Sequence, residues 1–138
     1  MSFPIDPRLV ADTQPIGELQ LSSLLLMDDA RFPWLILVPR IAGARELLDL
    51  DEADRHSLLG ELSAISRVLE TQLRPDKINI AALGNVVSQL HVHVIARFTN
   101  DAVWPQPVWG RGERECYDDD TRTLRIAELR KALAPLFI

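Results

Sequence analysis

The order of elements legible in this 138-residue chain predicts an α+β fold, an antiparallel sheet with a main amphipathic helix and a C-terminal helix packed on it. Three observations carry that reading. Two β-rich runs, Leu21–Met27 and Trp34–Val38, stand either side of Asp28-Asp29-Ala30-Arg31-Phe32-Pro33, a turn-like linker of the length that joins antiparallel strands. Leu58, Leu59, Leu62, Ile65, Leu69 and Leu73 then recur at three- and four-residue spacing, which puts them on one face of a helix over about 51–73. Finally, Lys77–Leu83 and Leu90–Phe98 alternate apolar with polar residues about a Gly84-Asn85 bend, the pattern of a second hairpin.

The remaining segments follow from their breakers and caps. Residues 1–20 hold Pro4, Pro7 and Pro15 and read as an irregular arm with one helical turn at most. Asp49 or Asp51 caps the long helix, and Pro75-Asp76 stops it. Between Asn100 and Gly112 the run Trp104-Pro-Gln-Pro-Val-Trp109-Gly excludes regular structure, and Asp120 is expected to cap a closing helix through about Leu133. No repeat, linker or low-complexity tract divides the chain, so one domain over 1–138 is expected, with its core at about 20–100 and a tail and helix at 101–138.

Composition narrows the function classes. Hydrophobic residues make up 47% and charged residues 25%, with 9 Pro and 6 Gly, which is the balance of a packed domain. The net charge of −5 disfavours polymeric nucleic acid as a partner, since phosphate-backbone binders carry a basic surplus. Trp34–Val38 is an apolar run of five, far short of the roughly 18 residues needed to span a bilayer. Met1–Arg8 lacks the basic and apolar regions of a secretory signal, and the single cysteine, Cys116, cannot form an internal disulfide. No membrane association and a cytoplasmic location are expected.

The chemistry-bearing run is Gln89-Leu90-His91-Val92-His93-Val94-Ile95-Ala96-Arg97. On an extended chain, side chains alternate, so Gln89, His91 and His93 share one face while Leu90, Val92 and Val94 share the other. Three readings are open on these residues. They describe a half-solvated strand with two ordinary histidines; or part of a metal site, for which Gln89, the lone Cys116 and the helix-borne His56 are poor completions; or a nucleophilic centre. In the last, a neutral imidazole attacks phosphorus or carbonyl while its neighbour gives a proton or hydrogen bond to oxygen. An unperturbed imidazole, with a pKa of about 6.5, is mostly neutral at physiological pH.

The run resembles the histidine triad (HIT) signature, His-φ-His-φ-His-φ-φ with φ apolar, and Gln89 stands where the first histidine would be. The likeness spans about residues 20–100: Leu24–Arg40 with its Trp-Leu-Ile-Leu-Val-Pro ending, the amphipathic helix and the next hairpin come in the family's order. Ala82-Leu-Gly-Asn85, Asn85-Val-Val-Ser-Gln89 and the Trp-Pro-Gln-Pro-Val-Trp-Gly tail are similar to a bacterial HIT branch. The resemblance implies a dimeric nucleotide hydrolase or nucleotidyl transferase acting on nucleoside phosphoramidates or dinucleoside polyphosphates. Its partner would be a purine nucleotide or nucleotide conjugate. No resident cofactor or metal is expected, since two imidazoles and a glutamine do not complete a usual zinc shell; magnesium would ride on a polyphosphate substrate. His91 would attack the α-phosphorus to form a nucleotidyl-histidine, with His93 beside the phosphate and leaving group. Asn85 and Ser88 would contact phosphate, and Asp28 the ribose.

Departures from the pattern temper this. Gln89 and Trp34 fill the places of the first triad histidine and of the histidine that often supports it, and Val86 replaces a hydroxyl residue. Glutamine donates and accepts hydrogen bonds but carries no charge, so any role that needs imidazolium there is lost while positioning survives. A nucleotide-binding or scaffold protein with a decayed triad is the alternative. Trp104 and Trp109 read as a purine cover or as packed anchors, Arg97 as a salt-bridge partner more than a phosphate ligand, and Asp118-Asp119-Asp120 as a solvated helix start.

Overall fold

The computed structural model of the chain describes residues 3–138; Met1 and Ser2, the start of the expected arm, lie outside the described residues. Five strands form one antiparallel sheet: β1 (Thr13–Glu18), β2 (Ser22–Met27), β3 (Trp34–Pro39), β4 (Lys77–Ala81) and β5 (Val92–Arg97), in the order β1-β2-β3-β5-β4. Three helices accompany it, α1 (Pro7–Asp12), α2 (Glu52–Leu73) and α3 (Asp119–Leu133). This is the α+β architecture expected from the sequence, and both predicted hairpins pair in the antiparallel sense, β2 with β3 and β4 with β5.

The near-continuous apolar composition of β2 and β3 has a reason: both faces of the central strands are covered. On one face Leu24, Leu26, Leu35, Leu37, Val92 and Val94 meet α2 and α3 through Leu58, Leu62, Ile65, Leu69, Leu129 and Leu133. On the other, Leu25, Trp34, Ile36, Val38 and Ile95 pack against Leu9 of α1, Phe32, Val87 and Val108. The leucine pattern of α2 holds except at Leu59, which is 63% exposed and sits just beyond the stripe. Asp51 caps α2 by accepting from the Asp54 amide, whereas the Asp49 carboxylate accepts from the amides of Arg45 and Glu46. At α3 the cap is Asp118, two residues earlier than expected, accepting from the Thr121 amide.

The main departure from expectation is β1. Thr13-Gln-Pro-Ile-Gly-Glu18 reads as breaker-rich, yet it pairs with β2, with a register shift between Pro15 and Gly17. As an edge strand it needs partners on one side only, which tolerates proline, and the bulge absorbs the mismatch. Gly17 leaves room for the Phe137 ring, which a Cβ there would meet at 2.7 Å and force to shift. The second predicted hairpin is shorter than expected at both strands. Pro39 has no N–H to extend the β3–β5 ladder past the Leu37–Val92 pair, and the Leu90 amide instead donates to the Ala44 carbonyl. Gln89 and His91 therefore precede the strand, although the inward and outward alternation persists.

The C-terminal tail is brought back over the sheet by a buried ion pair. Arg97, 2% exposed, donates to both carboxylate oxygens of Asp101 at 2.7 and 3.1 Å and to Asn79 Oδ1 at 3.0 Å, with Phe32 and Trp104 rings against its guanidinium. Burial disfavours the Asp101 carboxylate, but Arg97 and the amides of Phe98 and Val103 outweigh it and hold its pKa below the usual range. Arg97 is thus the salt-bridge partner the sequence suggested. Farther along, the turn after β2 holds the tail through the Ala30 amide to the Glu115 carbonyl and Arg31 Nη1 to the Arg111 carbonyl.

Asp101→Ala strands a buried guanidinium together with the amides of Phe98, Val103 and Trp104 and is expected to lower stability by about 3–5 kcal/mol; Arg97→Met with Asp101→Leu should recover the part owed to the unpaired guanidinium but not the part owed to the three amides. Denaturant unfolding of the single and double variants measures both, and a single variant within 1 kcal/mol of the parent would contradict the assignment.

Candidate active site

The imidazoles of His91 and His93 come together as the alternation predicts, ring centroids 5.0 Å apart and edge to face, both largely buried at 7% and 4% exposure. Val92 between them points into the helix-side core. Each ring makes one hydrogen bond at Nδ1, and the two bonds have opposite polarity.

His91 Nδ1 lies 2.7 Å from the carbonyl oxygen of Gln89. A carbonyl only accepts, so the neutral ring carries its proton on Nδ1 and leaves Nε2 with a free lone pair. His93 Nδ1 lies 2.9 Å from Trp34 Nε1, and the indole N–H only donates. His93 therefore carries its proton on Nε2. The desolvated setting of His93, with the charge of His91 as a second cause, pushes its pKa down to about 3. Protonating Nδ1 would also set two donors against each other at Trp34. His93 is consequently a neutral N–H donor near pH 7 rather than an imidazolium acid. Trp109 completes the enclosure, its ring 5.0 Å from that of His93 and 5.8 Å from that of Trp34. Trp104 stacks on Arg97 instead, so the two tail tryptophans have different roles.

A cleft of about 290 Å³ opens at His91, bordered by Gly84, Gln89, Arg45, Glu46 and Leu48. A second cleft of about 450 Å³ adjoins it across Arg45 and Gln89, which line both, and takes in Ser88 and the arm residues Asp6 and Pro7. Gly84 adopts φ +73°, a left-handed conformation that turns the chain out of β4 towards these clefts.

The other expected site residues are distributed as follows. Gln89 flanks His91, and its side-chain amide is taken up by the arm: Oε1 accepts from the Asp6 amide at 2.8 Å and Nε2 donates to the Pro4 carbonyl at 3.0 Å. Ser88 is exposed on the second cleft, and Asn85 is exposed on the loop beside Gly84. Asp28 is not brought to the imidazoles; its carboxylate accepts from the Tyr117 amide at 2.9 Å, and the Tyr117 ring belongs to the helix-side core. Trp34 is engaged with His93 and not with Gln89, so the two departures expected to act as partners have separate ones. Among the described residues no three His, Cys, Asp or Glu side chains cluster to hold a metal, and His56 is exposed on α2.

Two contributors escaped the sequence reading, the Trp34 indole and the arm at Pro4–Arg8. Asp6 accepts from the Arg8 amide and pairs with its guanidinium at 3.0 Å, and Arg8 Nη1 donates to the Val86 carbonyl. Asp immediately before Pro7 is a helix-start signature, an N-cap followed by proline in the first turn, and could have flagged α1.

The low pKa of His93 ties stability to pH. The unfolded ring takes up a proton below about 6.5 while the folded ring stays neutral to about 3, so its contribution is complete above 6.5 and is lost as pH falls between those values. His93→Gln, whose amide can still accept from Trp34, should flatten that part of the profile. Equal slopes for parent and variant between pH 6.5 and 4 in denaturant titrations would rule out a neutral buried His93.

Comparison with known proteins identifies the family. No curated protein matches the chain. A histidine triad protein from Bradyrhizobium japonicum is 47% identical over 96% of this chain and 98% of its own, with a TM-score of 0.91. One from Marinobacter aquaeolei is 42% identical over 97% and 98%, with a TM-score of 0.93. At 16% identity, covering 97% of this chain and 82% of its own, the diadenosine triphosphate hydrolase of Plasmodium falciparum shares the fold alone, with a TM-score of 0.60. HIT proteins are generally nucleotide-binding hydrolases or transferases. Residues 8–100 match the HIT domain, and the chain belongs to the HIT domain family.

Proposed function

We propose that this protein is a nucleotide hydrolase or nucleotidyl transferase that acts on nucleoside phosphoramidates or dinucleoside polyphosphates through a nucleotidyl-His91 intermediate. The observation that carries the reading is the opposed pair of tautomers. The Gln89 carbonyl leaves His91 Nε2 with the lone pair a nucleophile needs, and the Trp34 indole leaves His93 Nε2 with a proton to offer.

In this reading His91 Nε2 attacks the α-phosphorus and forms a P–N bond as the bond to the leaving group breaks. Positive charge develops on the His91 ring, where the Nδ1–H bond to the Gln89 carbonyl becomes charge-assisted and stronger. The neutral His93 Nε2–H donates a hydrogen bond to a phosphoryl oxygen. A leaving amine takes its proton from solvent, since His93 stays neutral, and a leaving nucleotide phosphate departs as the anion. Water then attacks phosphorus as the P–Nε2 bond breaks and its proton passes to solvent, which releases the nucleoside monophosphate and returns His91 to its starting Nδ1–H tautomer. Ser88, which borders the second cleft, and Asn85, exposed next to the cleft residue Gly84, are the proposed phosphate contacts; Asp28, whose carboxylate is also used by the Tyr117 amide, is the proposed ribose contact. The chain works as a homodimer on purine nucleotides in this reading, with no resident metal, since two imidazoles and an amide do not complete a usual zinc shell.

His91→Ala should abolish release of AMP from an adenosine phosphoramidate while AMP binding persists, and intact mass after brief mixing should show a nucleotidyl adduct on the parent alone. His93→Ala should retain more activity than His91→Ala, losing on the order of 10²-fold, the size of a lost donor to a developing charge. Turnover by His91→Ala at the parent rate would end the mechanism. AMP binding by a parent that turns over neither substrate class would favour a binding or scaffold protein instead.

A further inference from the structure

We propose that Pro4–Arg8 forms a fixed wall of the catalytic site and that Gln89 is a positioning residue, its side-chain amide fastening that wall while its carbonyl holds His91 in the nucleophilic tautomer. The inference rests on the proposed His91 chemistry for its kinetic consequences, though not for its structural ones.

Four observations lead to it. The Gln89 amide is used in both directions on one stretch of backbone, accepting from Asp6 N–H and donating to the Pro4 carbonyl. The arm is held at a second point on the same loop, through Arg8 Nη1 to the Val86 carbonyl, while Asp6 is braced to Arg8 by its own carboxylate. Phe3 and Ile5 pack onto the sheet face that carries Trp34, and Leu9 is buried there with Val87 of the loop. The arm residues Pro4, Asp6 and Pro7 line the cleft that adjoins the His91 cleft across Gln89. The arm therefore crosses the site as a strap rather than leaving it as a tail.

The consequence concerns His91. Its Nδ1–H bonds to the backbone carbonyl of Gln89, and that carbonyl has an exposed loop, 82–86, on its N-terminal side. Residue 89, outside the ladder, is held by the Leu90 amide on Ala44 on one side and, on the other, by the amide latch to the arm and the burial of Val87 two residues before it. Releasing the latch lets the peptide plane at 89 reorient, and His91 is then free to exchange tautomers. A glutamine performs this task at every pH, because its amide does not titrate and offers the donor and the acceptor that two backbone groups of opposite polarity require.

The test separates the latch from direct contact with substrate. Gln89→Ala removes both latch bonds. Asp6→Pro removes the Asp6 N–H alone among backbone groups, at φ −50°, where proline fits, and Asp6→Ala is its reference because it loses the same carboxylate but keeps the N–H. With an adenosine phosphoramidate, Gln89→Ala should lower kcat roughly two- to tenfold, the scale of one or two hydrogen bonds, with KM little changed. Asp6→Pro should fall below Asp6→Ala, and in the Gln89→Ala background the two Asp6 variants should be equal, because the Asp6 N–H then has no partner to lose. Multiplicative losses, or Asp6→Pro equal to Asp6→Ala, would mean that Gln89 acts on the substrate and would overturn the proposal. A second readout needs no turnover: ¹⁵N NMR of the His91 ring should show the Nδ1–H tautomer in the parent and a tautomer mixture in Gln89→Ala and Asp6→Pro. An unchanged tautomer in both variants would overturn the latch even if the enzyme is active. A parent that hydrolyses nothing while its variants lose the tautomer would instead sink the hydrolase reading and support the latch.

Discussion

Everything at this site depends on the burial of His93. The central strands have no solvent-facing side, so an imidazole on β5 must find its hydrogen-bond partners inside the protein or leave a polar nitrogen stranded at a cost of about 1–3 kcal/mol. The Trp34 indole on the neighbouring strand answers that need, and Ile95 opposite Trp34 sets the register that makes it reachable. Once the indole N–H occupies Nδ1, the protonation state and the tautomer of His93 are decided together. The aromatic enclosure by Trp34 and Trp109 then excludes the water that would stabilise an imidazolium.

His91 shows the complementary solution. It lies one residue before the strand, where Pro39 has ended the ladder and the local backbone carbonyls are free of strand partners. One of them, at Gln89, accepts the His91 proton. Two neighbouring histidines, chemically identical in sequence, thus become one lone-pair nitrogen and one N–H donor because one faces a backbone acceptor and the other a side-chain donor. This division of roles is what the proposed phosphoryl chemistry calls for, a lone pair to attack phosphorus and a neutral N–H donor beside it.

The peripheral segments supply the walls. The buried Arg97–Asp101 pair turns the chain after β5, and the turn after β2 grips the tail again at Ala30 and Arg31, so that Trp109 is delivered onto His93. On the opposite flank the arm reaches Gln89 through backbone groups. Both walls come from outside the strands and helix that carry the family pattern, and both are held by hydrogen bonds and ion pairs rather than by sheet register.

Periodicity and turn residues determined the hairpins, the long helix and the pairing of His91 with His93, because alternation, the 3.6-residue repeat and turn chemistry are local properties that survive folding unchanged. Leu90, Val92 and Val94 went to one core and the imidazoles to the other face, as their spacing required. The strand at Thr13–Glu18 was illegible because an edge position and a bulge excuse the proline and glycine that argue against a strand elsewhere. Asp28 was legible as a turn residue, but its commitment to Tyr117, 89 residues away, was not. The same holds for Gln89 and the arm, 83 residues apart, and for Trp34 and His93, 59 apart. A side chain's type states how many hydrogen bonds it can make, and only the folded chain decides with whom, because partners distant in sequence meet through sheet order and loop closure that no local pattern encodes.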